Sequence, residues 1–184
     1  MADQTDSVYE RLLILRCQAG DGLAFAELFD RYRPRLQYYL RKLVGGALEM
    51  DDLLQDVWFD VFRALPKLAD PGAFPAWLYR VARDRAFRRL RQRRPPCEPV
   101  TEHELADRAD RDGEFTADDV AWVHAALDRL PPEHREVLVL RFLEGMAYGD
   151  VAQVVGCALG TVKSRIYHAK RGLRRAIEDL RGKP

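Results

Sequence analysis

Residues 147–168 are AYGDVAQVVGCALGTVKSRIYH, and their pattern is typical of a helix-turn-helix. Two helices that cross at a steep angle need a small residue where they touch, a turn residue that tolerates left-handed backbone angles, and an apolar anchor on the second helix. Ala152, Gly156 and Val162 supply these features in that order. The spacing predicts that the second helix begins near Ala158.

The predicted second helix carries a dense run of positive charge, with no acidic residue between positions 163 and 175. Its basic residues are Lys163, Arg165, Lys170, Arg171, Arg174 and Arg175. A basic stripe on a helix-turn-helix is the electrostatic pattern expected of a DNA-binding surface. We therefore interpret this helix as a recognition helix. The alternative is an ordinary helical hairpin with a glycine in its turn.

The composition is that of a globular protein with 184 residues, of which 47% are hydrophobic and 32% are charged. This length fits one large domain or two small ones. No apolar run is long enough to span a membrane, and the N-terminus lacks the basic and then apolar pattern of a signal peptide. The expectation is a cytoplasmic protein that does not contact the membrane. The three cysteines are far apart, which argues against a disulfide or a zinc site.

The net charge is only +1, but the charges are segregated along the chain. Residues 49–60 contain five acids and no basic residue, whereas residues 80–94 contain eight arginines and the single acid Asp84. Residues 98–119 then carry nine acids and two arginines. Three blocks of alternating sign indicate several different surfaces or partners.

Helical periodicity covers nearly the whole chain, and no segment has the period-two pattern of a strand. A capping box formed by Ser7 and Glu10 predicts a first helix to about Gln18, Asp21 caps a second, and Pro34 suits the first turn of a third. In the helix predicted over residues 51–65, the inward residues are Leu54, Val57, Trp58, Val61, Phe62 and Leu65. In the next helix they are Phe74, Leu78, Ala82, Ala86 and Leu90.

These elements predict an all-α fold of two small helical domains. The first covers residues 7–95 and is a helical bundle, and the second covers residues 119–181 and ends with the helix-turn-helix. Prolines at positions 95, 96 and 99 end the bundle. The acidic run that follows has few apolar residues with which to build a core, so residues 96–118 are predicted to be a flexible acidic linker.

Four motifs in order resemble those of a known family. They are DDLLQDVW (51–58), FPAWLYRVAR (74–83), LPPE (130–133) and GTVKSR (160–165). Together they are similar to the motifs of the extracytoplasmic-function (ECF) subfamily of bacterial sigma-70-type RNA polymerase sigma factors. The resemblance implies sigma domains 2 and 4 without domain 3. It also implies that the chain binds core RNA polymerase, directs it to specific promoters and helps to open the DNA.

The resemblance also implies a docking site for core RNA polymerase. It places Asp52, Gln55, Asp56 and Asp60 on the outer face of the helix over residues 51–65, against the coiled-coil clamp of the largest subunit. Acidic side chains that face a basic partner steer the encounter and fix its register. The second domain is expected to contact the flap of the second-largest subunit. Without the resemblance, a solvated helix face would be the preferred interpretation of these charges.

By the same resemblance, the arginine-rich helix that begins at residue 74 recognises the minus-ten promoter region and holds it open. The candidate residues are Tyr79, Arg80, Arg83, Asp84, Phe87, Arg88 and Arg91. Arginines bind backbone phosphates, and aromatic side chains stack on bases that have left the duplex. Tyr79 and Phe87 lie off the predicted inward stripe, and partial burial is the alternative for both. Asp84 has an alternative role as an internal partner of Arg80 or Arg88.

In the second domain, the resemblance implies that the recognition helix enters the major groove at the minus-thirty-five element. The expected base-side residues are Thr161, Ser164, Arg165 and His168. The expected phosphate contacts are Lys163, Lys170 and Arg171.

An enzymatic function is not expected, because the four histidines have no paired nucleophile motif and no glycine-rich phosphate loop precedes a helix. No spacing suggests a metal site, and no cofactor is expected. The main alternative is a stand-alone helix-turn-helix transcriptional regulator, although the chain shows no seam for the dimerisation that such proteins need. The expected partners are core RNA polymerase, promoter DNA and, as a candidate inhibitor, an anti-sigma factor.

Overall fold

A computed structural model describes residues 2–93 and 120–181, and every regular element within these two ranges is helical. The chain divides into two compact units, Met1–Pro96 and Cys97–Pro184. This confirms the predicted all-α fold with two small helical domains. The predicted acidic linker at residues 96–118 lies outside the described residues.

The first unit is a bundle of four α-helices with two short 3-10 turns before the last helix. The elements are α1 (Ala2–Gln18), α2 (Gly22–Val44), α3 (Met50–Ala64), the 3-10 turns Leu65–Lys67 and Pro71–Ala73, and α4 (Phe74–Arg93). Asp21 caps α2 as predicted, since its carboxylate accepts hydrogen bonds from the N–H groups of Leu23 and Ala24. The N–H of Ala24 and the guanidinium of Arg16 hold the pKa of Asp21 below its usual value.

The predicted break at Pro34 is wrong, because α2 continues through this residue as a single helix. A proline inside a helix removes one backbone hydrogen bond and leaves a carbonyl without its partner. Pro34 and Asp30, four residues earlier, are both exposed, so water can satisfy that carbonyl. Residues on both sides of the proline are buried in the core, among them Leu28, Tyr32 and Leu36. Their packing keeps the parts of α2 before and after Pro34 in one continuous helix.

The predicted start of α1 at Ser7 is also wrong, since the helix begins at Ala2 and Ser7 lies inside it. Arg31 of α2 forms an ion pair with Asp6 and places its Nε 3.4 Å from Glu10 Oε2. Tyr32 donates a hydrogen bond of 2.8 Å to the same Glu10 carboxylate. These contacts with α2 hold an additional helical turn that a local capping rule does not anticipate.

The core of the first unit contains most of the predicted inward residues of α3 and α4. Trp58 is 5% exposed, and its ring packs 4.9 Å from that of Phe29, which confirms a core role. Phe62 is an exception, because its side chain is 60% exposed and contacts Phe25 only edge-on at 5.2 Å. The buried stripe of α3 is already filled by Val57, Trp58 and Val61, so Phe62 lies at its margin.

The second unit contains the helix-turn-helix. Its elements are α5 (Val120–Asp128), α6 (Pro132–Leu138), a π-helical turn (Val139–Leu143), α7 (Tyr148–Val155) and α8 (Leu159–Arg181). Gly156 has a φ of 71° and donates its N–H to the carbonyl of Ala152 at 2.9 Å, which closes α7 with a left-handed residue. Val162 is fully buried. The predicted turn and apolar anchor are confirmed, and α8 begins one residue after the expected position.

Within residues 2–93 and 120–181, none of the helices combines the length and the apolar character that crossing a membrane requires. In the same two ranges, no cluster of three or more histidine, cysteine or acidic side chains could hold a metal ion.

Candidate polymerase and nucleic-acid interfaces

One side of α3 presents two polar and two aromatic residues to solvent. Asp52 and Gln55 are exposed, and Phe59 and Phe62 are 58% and 60% exposed. Their spacing of three and four residues places them on one side of the helix. We call these four residues the α3 docking surface. Large aromatic side chains that remain exposed together often mark a protein interface. Phe59 was not among the residues predicted from the sequence, and Phe62 was predicted to lie in the core.

Asp56 and Asp60 are not free on that surface, because arginines of α4 hold both carboxylates. Arg89 Nε donates to Asp56 Oδ2 at 2.7 Å, and Arg85 Nε donates to Asp60 Oδ2 at 2.7 Å. The hydrogen bond with Asp60 raises the pKa of Arg85. Both pairs are half-buried. The acids are one helical turn apart, and so are the arginines, so packing of α3 on α4 aligns them. The predicted outer acidic face is therefore wrong for Asp56 and Asp60, and their contact with polymerase stays a prediction.

The side of α4 that lies opposite its buried residues carries the exposed charges. The residues there are Arg80, Asp84, Arg88 and Arg91, again spaced by three or four residues. Next to them, the guanidinium of Arg83 lies over the ring of Phe87, 4.7 Å from its centroid, and both side chains are half-buried. This arrangement keeps one aromatic ring and several cations at the surface of one helix.

Tyr79 does not belong to that surface, so its predicted position off the inward stripe is wrong, and its contact with unstacked bases stays a prediction. Its side chain is only 1% exposed, and its ring centroid lies 5.1 Å from that of Tyr39 in an edge-on contact. The reason is the true period of the helix, which is 3.6 residues and not four. Tyr79 precedes the buried Ala86 by two full turns and so shares its inward face.

A groove of about 420 Å³ separates the C-terminal part of α3 from α4. It is lined by Asp60, Arg63, Ala64, Lys67, Val81, Asp84 and Arg88. Lys67 comes from the first 3-10 turn, whereas Asp84 and Arg88 belong to the exposed side of α4. One wall of the groove is therefore formed by the end of α3 together with Lys67 of the 3-10 turn, and the other wall is the candidate DNA-binding helix.

The first turns of α8 bring the predicted minus-thirty-five residues together on one helix. Lys163 and Arg171 are exposed, whereas Thr161, Ser164, Arg165, His168 and Lys170 are half-buried. Arg165 Nη1 donates to Cys157 Sγ at 3.9 Å, so its guanidinium lies against the turn of the motif. Lys170 Nζ lies 4.9 Å from the ring centroid of Phe142. The charged ends of these two side chains thus contact residues of the same domain.

His168 differs from the other candidates because its Nε2 is closed to solvent. Its ring contacts that of Tyr167 edge-on at 5.2 Å. Burial lowers the pKa of the neighbouring His134, and the proximity of His168 and Arg165 acts in the same direction. A base contact by His168 is not tested by this arrangement and stays a prediction.

Two family models match the chain, one in each unit. Residues 28–95 match sigma-70 region 2, and residues 121–173 match sigma-70 region 4. The RNA polymerase sigma-H factor of Pseudomonas aeruginosa is 34% identical, over 93% of this chain and 95% of its own. The ECF RNA polymerase sigma-E factor of Escherichia coli K12 is 27% identical, over 96% of this chain and 98% of its own.

Two solved structures have a similar fold. CnrH, in complex with the cytosolic domain of CnrY, is 25% identical, with a TM-score of 0.65 over 92% of this chain and 97% of CnrH. The sigma factor RpoE of Bartonella quintana, in complex with the anti-sigma factor NepR, is 23% identical. Its TM-score is 0.64, over 84% of this chain and 96% of RpoE. Family models, relatives and fold agree. The chain belongs to the extracytoplasmic-function family of bacterial sigma-70-type RNA polymerase sigma factors.

Proposed function

We propose that this chain binds core RNA polymerase through α3, directs it to specific promoters and holds the minus-ten DNA open with α4. The observation that carries this proposal is the pairing of two surfaces on one small bundle. The α3 docking surface is polar and aromatic, whereas the exposed side of α4 is rich in arginine. A protein that binds DNA alone has no use for the first of these surfaces.

The α3 docking surface is proposed to contact the coiled-coil clamp of the largest polymerase subunit. Asp52 supplies the charge that steers a basic partner, and Phe59 and Phe62 supply apolar area that water leaves on binding. The second unit is proposed to contact the flap of the second-largest subunit. The predicted domain boundaries, residues 7–95 and 119–181, are proposed with one change: the start of the first domain moves from Ser7 to Ala2, where α1 begins.

The exposed side of α4 is proposed to bind the opened minus-ten strand. Arg80, Arg88 and Arg91 would neutralise phosphates, and Phe87 would stack on an unpaired base. The contact of Arg83 with the Phe87 ring supports this role, because it holds the ring in one orientation before DNA arrives. Such a preformed platform lowers the entropic cost of binding.

The recognition helix α8 is proposed to contact the minus-thirty-five element, and two of its residues should behave differently. Arg165→Ala is expected to lose about 1–3 kcal/mol of binding free energy and to relax selectivity at one base pair. Lys170→Ala is expected to weaken binding to all promoters alike, because a phosphate contact carries no sequence information. Binding of each variant holoenzyme to promoters with single substitutions at minus-thirty-five measures both effects. Uniform losses for both variants would make Arg165 a phosphate contact.

The experiment that tests the whole function compares the purified chain with its complex with core polymerase. Each unit contributes one small DNA-binding surface, and linking both to polymerase raises the effective concentration of each for its promoter element. The chain alone should therefore bind promoter duplex weakly and with strong salt dependence, while the holoenzyme binds specifically and opens the DNA. Fluorescence of a 2-aminopurine base at minus ten reports the opening. Nanomolar specific duplex binding by the chain alone would instead indicate a stand-alone regulator.

A regulatory role in the cytoplasm is proposed, with no catalytic function. In its solved structure, the sigma factor RpoE of Bartonella quintana is in complex with the anti-sigma factor NepR. By analogy, we propose that an anti-sigma factor binds this chain and keeps it from polymerase.

A further inference from the structure

The side chain of Gln18, the last residue of α1, binds the chain between α3 and α4. Its Nε2 donates a hydrogen bond of 3.1 Å to the carbonyl of Leu65 and one of 2.7 Å to the carbonyl of Leu68. The amide therefore spans the 3-10 turn and uses both of its hydrogens. Gln18 is half-buried, so water competes poorly for these carbonyls.

A second residue of α1 lies against the other end of the same connection. The guanidinium of Arg11 is so close to Gly72 that a Cβ atom at this position would stand 3.2 Å from Arg11 Nη2. The connection is also fixed from within, because Asp70 accepts a hydrogen bond of 2.8 Å from the N–H of Gly72. The chain between α3 and α4 is therefore positioned by α1 at both ends.

This connection forms part of the groove that borders α4. Lys67 lies between the two residues whose carbonyls bind Gln18, and its side chain lines the groove with Asp84 and Arg88 of α4. A displacement of the 3-10 turn would move Lys67 relative to these two residues. Gln18 itself does not line the groove. Its influence on α4 must therefore pass through the turn.

We propose that Gln18 is a positioning residue for promoter selectivity: it fixes the 3-10 turn and thereby the shape and charge of the groove beside the DNA-binding side of α4. This inference rests on the proposed role of α4 at the minus-ten element. It assigns a function in DNA discrimination to α1, which carries none of the candidate DNA-binding residues.

The test uses the complete holoenzyme and a pool of promoters randomised over the minus-ten element. The open complexes formed by each variant are isolated, and their DNA is sequenced. Gln18→Met keeps the length of the side chain but removes both donors, and Gln18→Glu places a carboxylate against two carbonyl oxygens. Tyr9→Phe is the matched control, since it removes a hydrogen bond from α1 to Glu27 of α2 without touching the turn.

Gln18→Met is expected to change the ratio between preferred and rejected minus-ten sequences by about threefold to tenfold, as expected for the loss of one or two neutral hydrogen bonds. Gln18→Glu should change it more, and Tyr9→Phe should leave the ranking unchanged. Core binding and the response to minus-thirty-five substitutions should be unchanged in all three variants. Circular dichroism melting checks that each one folds.

The two proposals fail in different ways. An unchanged ranking in a Gln18→Met or Gln18→Glu holoenzyme that folds and opens promoters would overturn the positioning role alone. An equal change of ranking in Tyr9→Phe would also overturn it, because general loosening of α1 would then explain the effect. If the wild-type chain with core polymerase opens no promoter, the proposed function itself is wrong.

Discussion

An Asp52→Arg/Gln55→Arg variant is expected to bind core RNA polymerase at least about a hundredfold more weakly than the wild-type chain. The two substitutions turn the exposed α3 docking surface from acidic to basic, and like charges across an interface cost several kcal/mol. Both side chains are exposed, so the bundle should fold normally. Titration of the fluorescently labelled chain with core polymerase, followed by anisotropy, measures the loss.

Asp51→Arg is the matched control for this experiment. It reverses one carboxylate on the same helix, as Asp52→Arg does, but residue 51 lies about 100° around the helix from Asp52. Asp56 is unsuitable, because reversing its charge would place a third cation beside Arg85 and Arg89 and would loosen the contact of α3 with α4. Normal core binding by the double variant would mean that α3 is not the docking helix.

Replacement of Tyr79 by alanine is expected to lower the free energy of unfolding of the first unit by about 3–5 kcal/mol, the range for truncating a large buried aromatic side chain. The ring is almost completely enclosed and packs on Tyr39, so its removal leaves a cavity between α2 and α4. Urea denaturation of the purified chain, followed by circular dichroism, measures the change.

Phe87→Ala gives the contrasting result, because its ring is only half-buried under Arg83. The loss of stability should be smaller, whereas opening of the promoter by the holoenzyme should be impaired. Wild-type stability of Tyr79→Ala combined with defective promoter opening would return Tyr79 to the DNA-binding surface.

Features that depend on neighbouring residues in the chain could be predicted from the sequence. The helix-turn-helix is specified by Gly156, which takes the left-handed conformation of the turn, and by Val162, which is fully buried. Asp21 caps α2 through N–H groups two and three residues away. In each case the deciding interaction spans only a few residues.

Features that depend on packing between helices were not predictable in the same way. Pro34 has the local pattern of a helix start, but buried contacts on both sides of it keep α2 continuous. Asp56 and Asp60 have the sequence pattern of a solvated acidic face. In the fold, α4 packs against this part of α3, and its arginines bind both carboxylates. Gln18 donates hydrogen bonds to the carbonyls of Leu65 and Leu68, which lie 47 and 50 positions further along the chain, and no sequence motif indicates these contacts.

The ion pairs that Arg85 and Arg89 form with Asp60 and Asp56 of α3 also affect how promoter binding will respond to salt. A protein cation that neutralises a DNA phosphate releases a condensed counterion, and the number of ions released sets the slope of affinity against salt concentration. Arg85 and Arg89 already have carboxylate partners in α3, so they release no ions from DNA while those pairs persist. The salt dependence contributed by α4 should therefore be shallower than its content of arginine suggests.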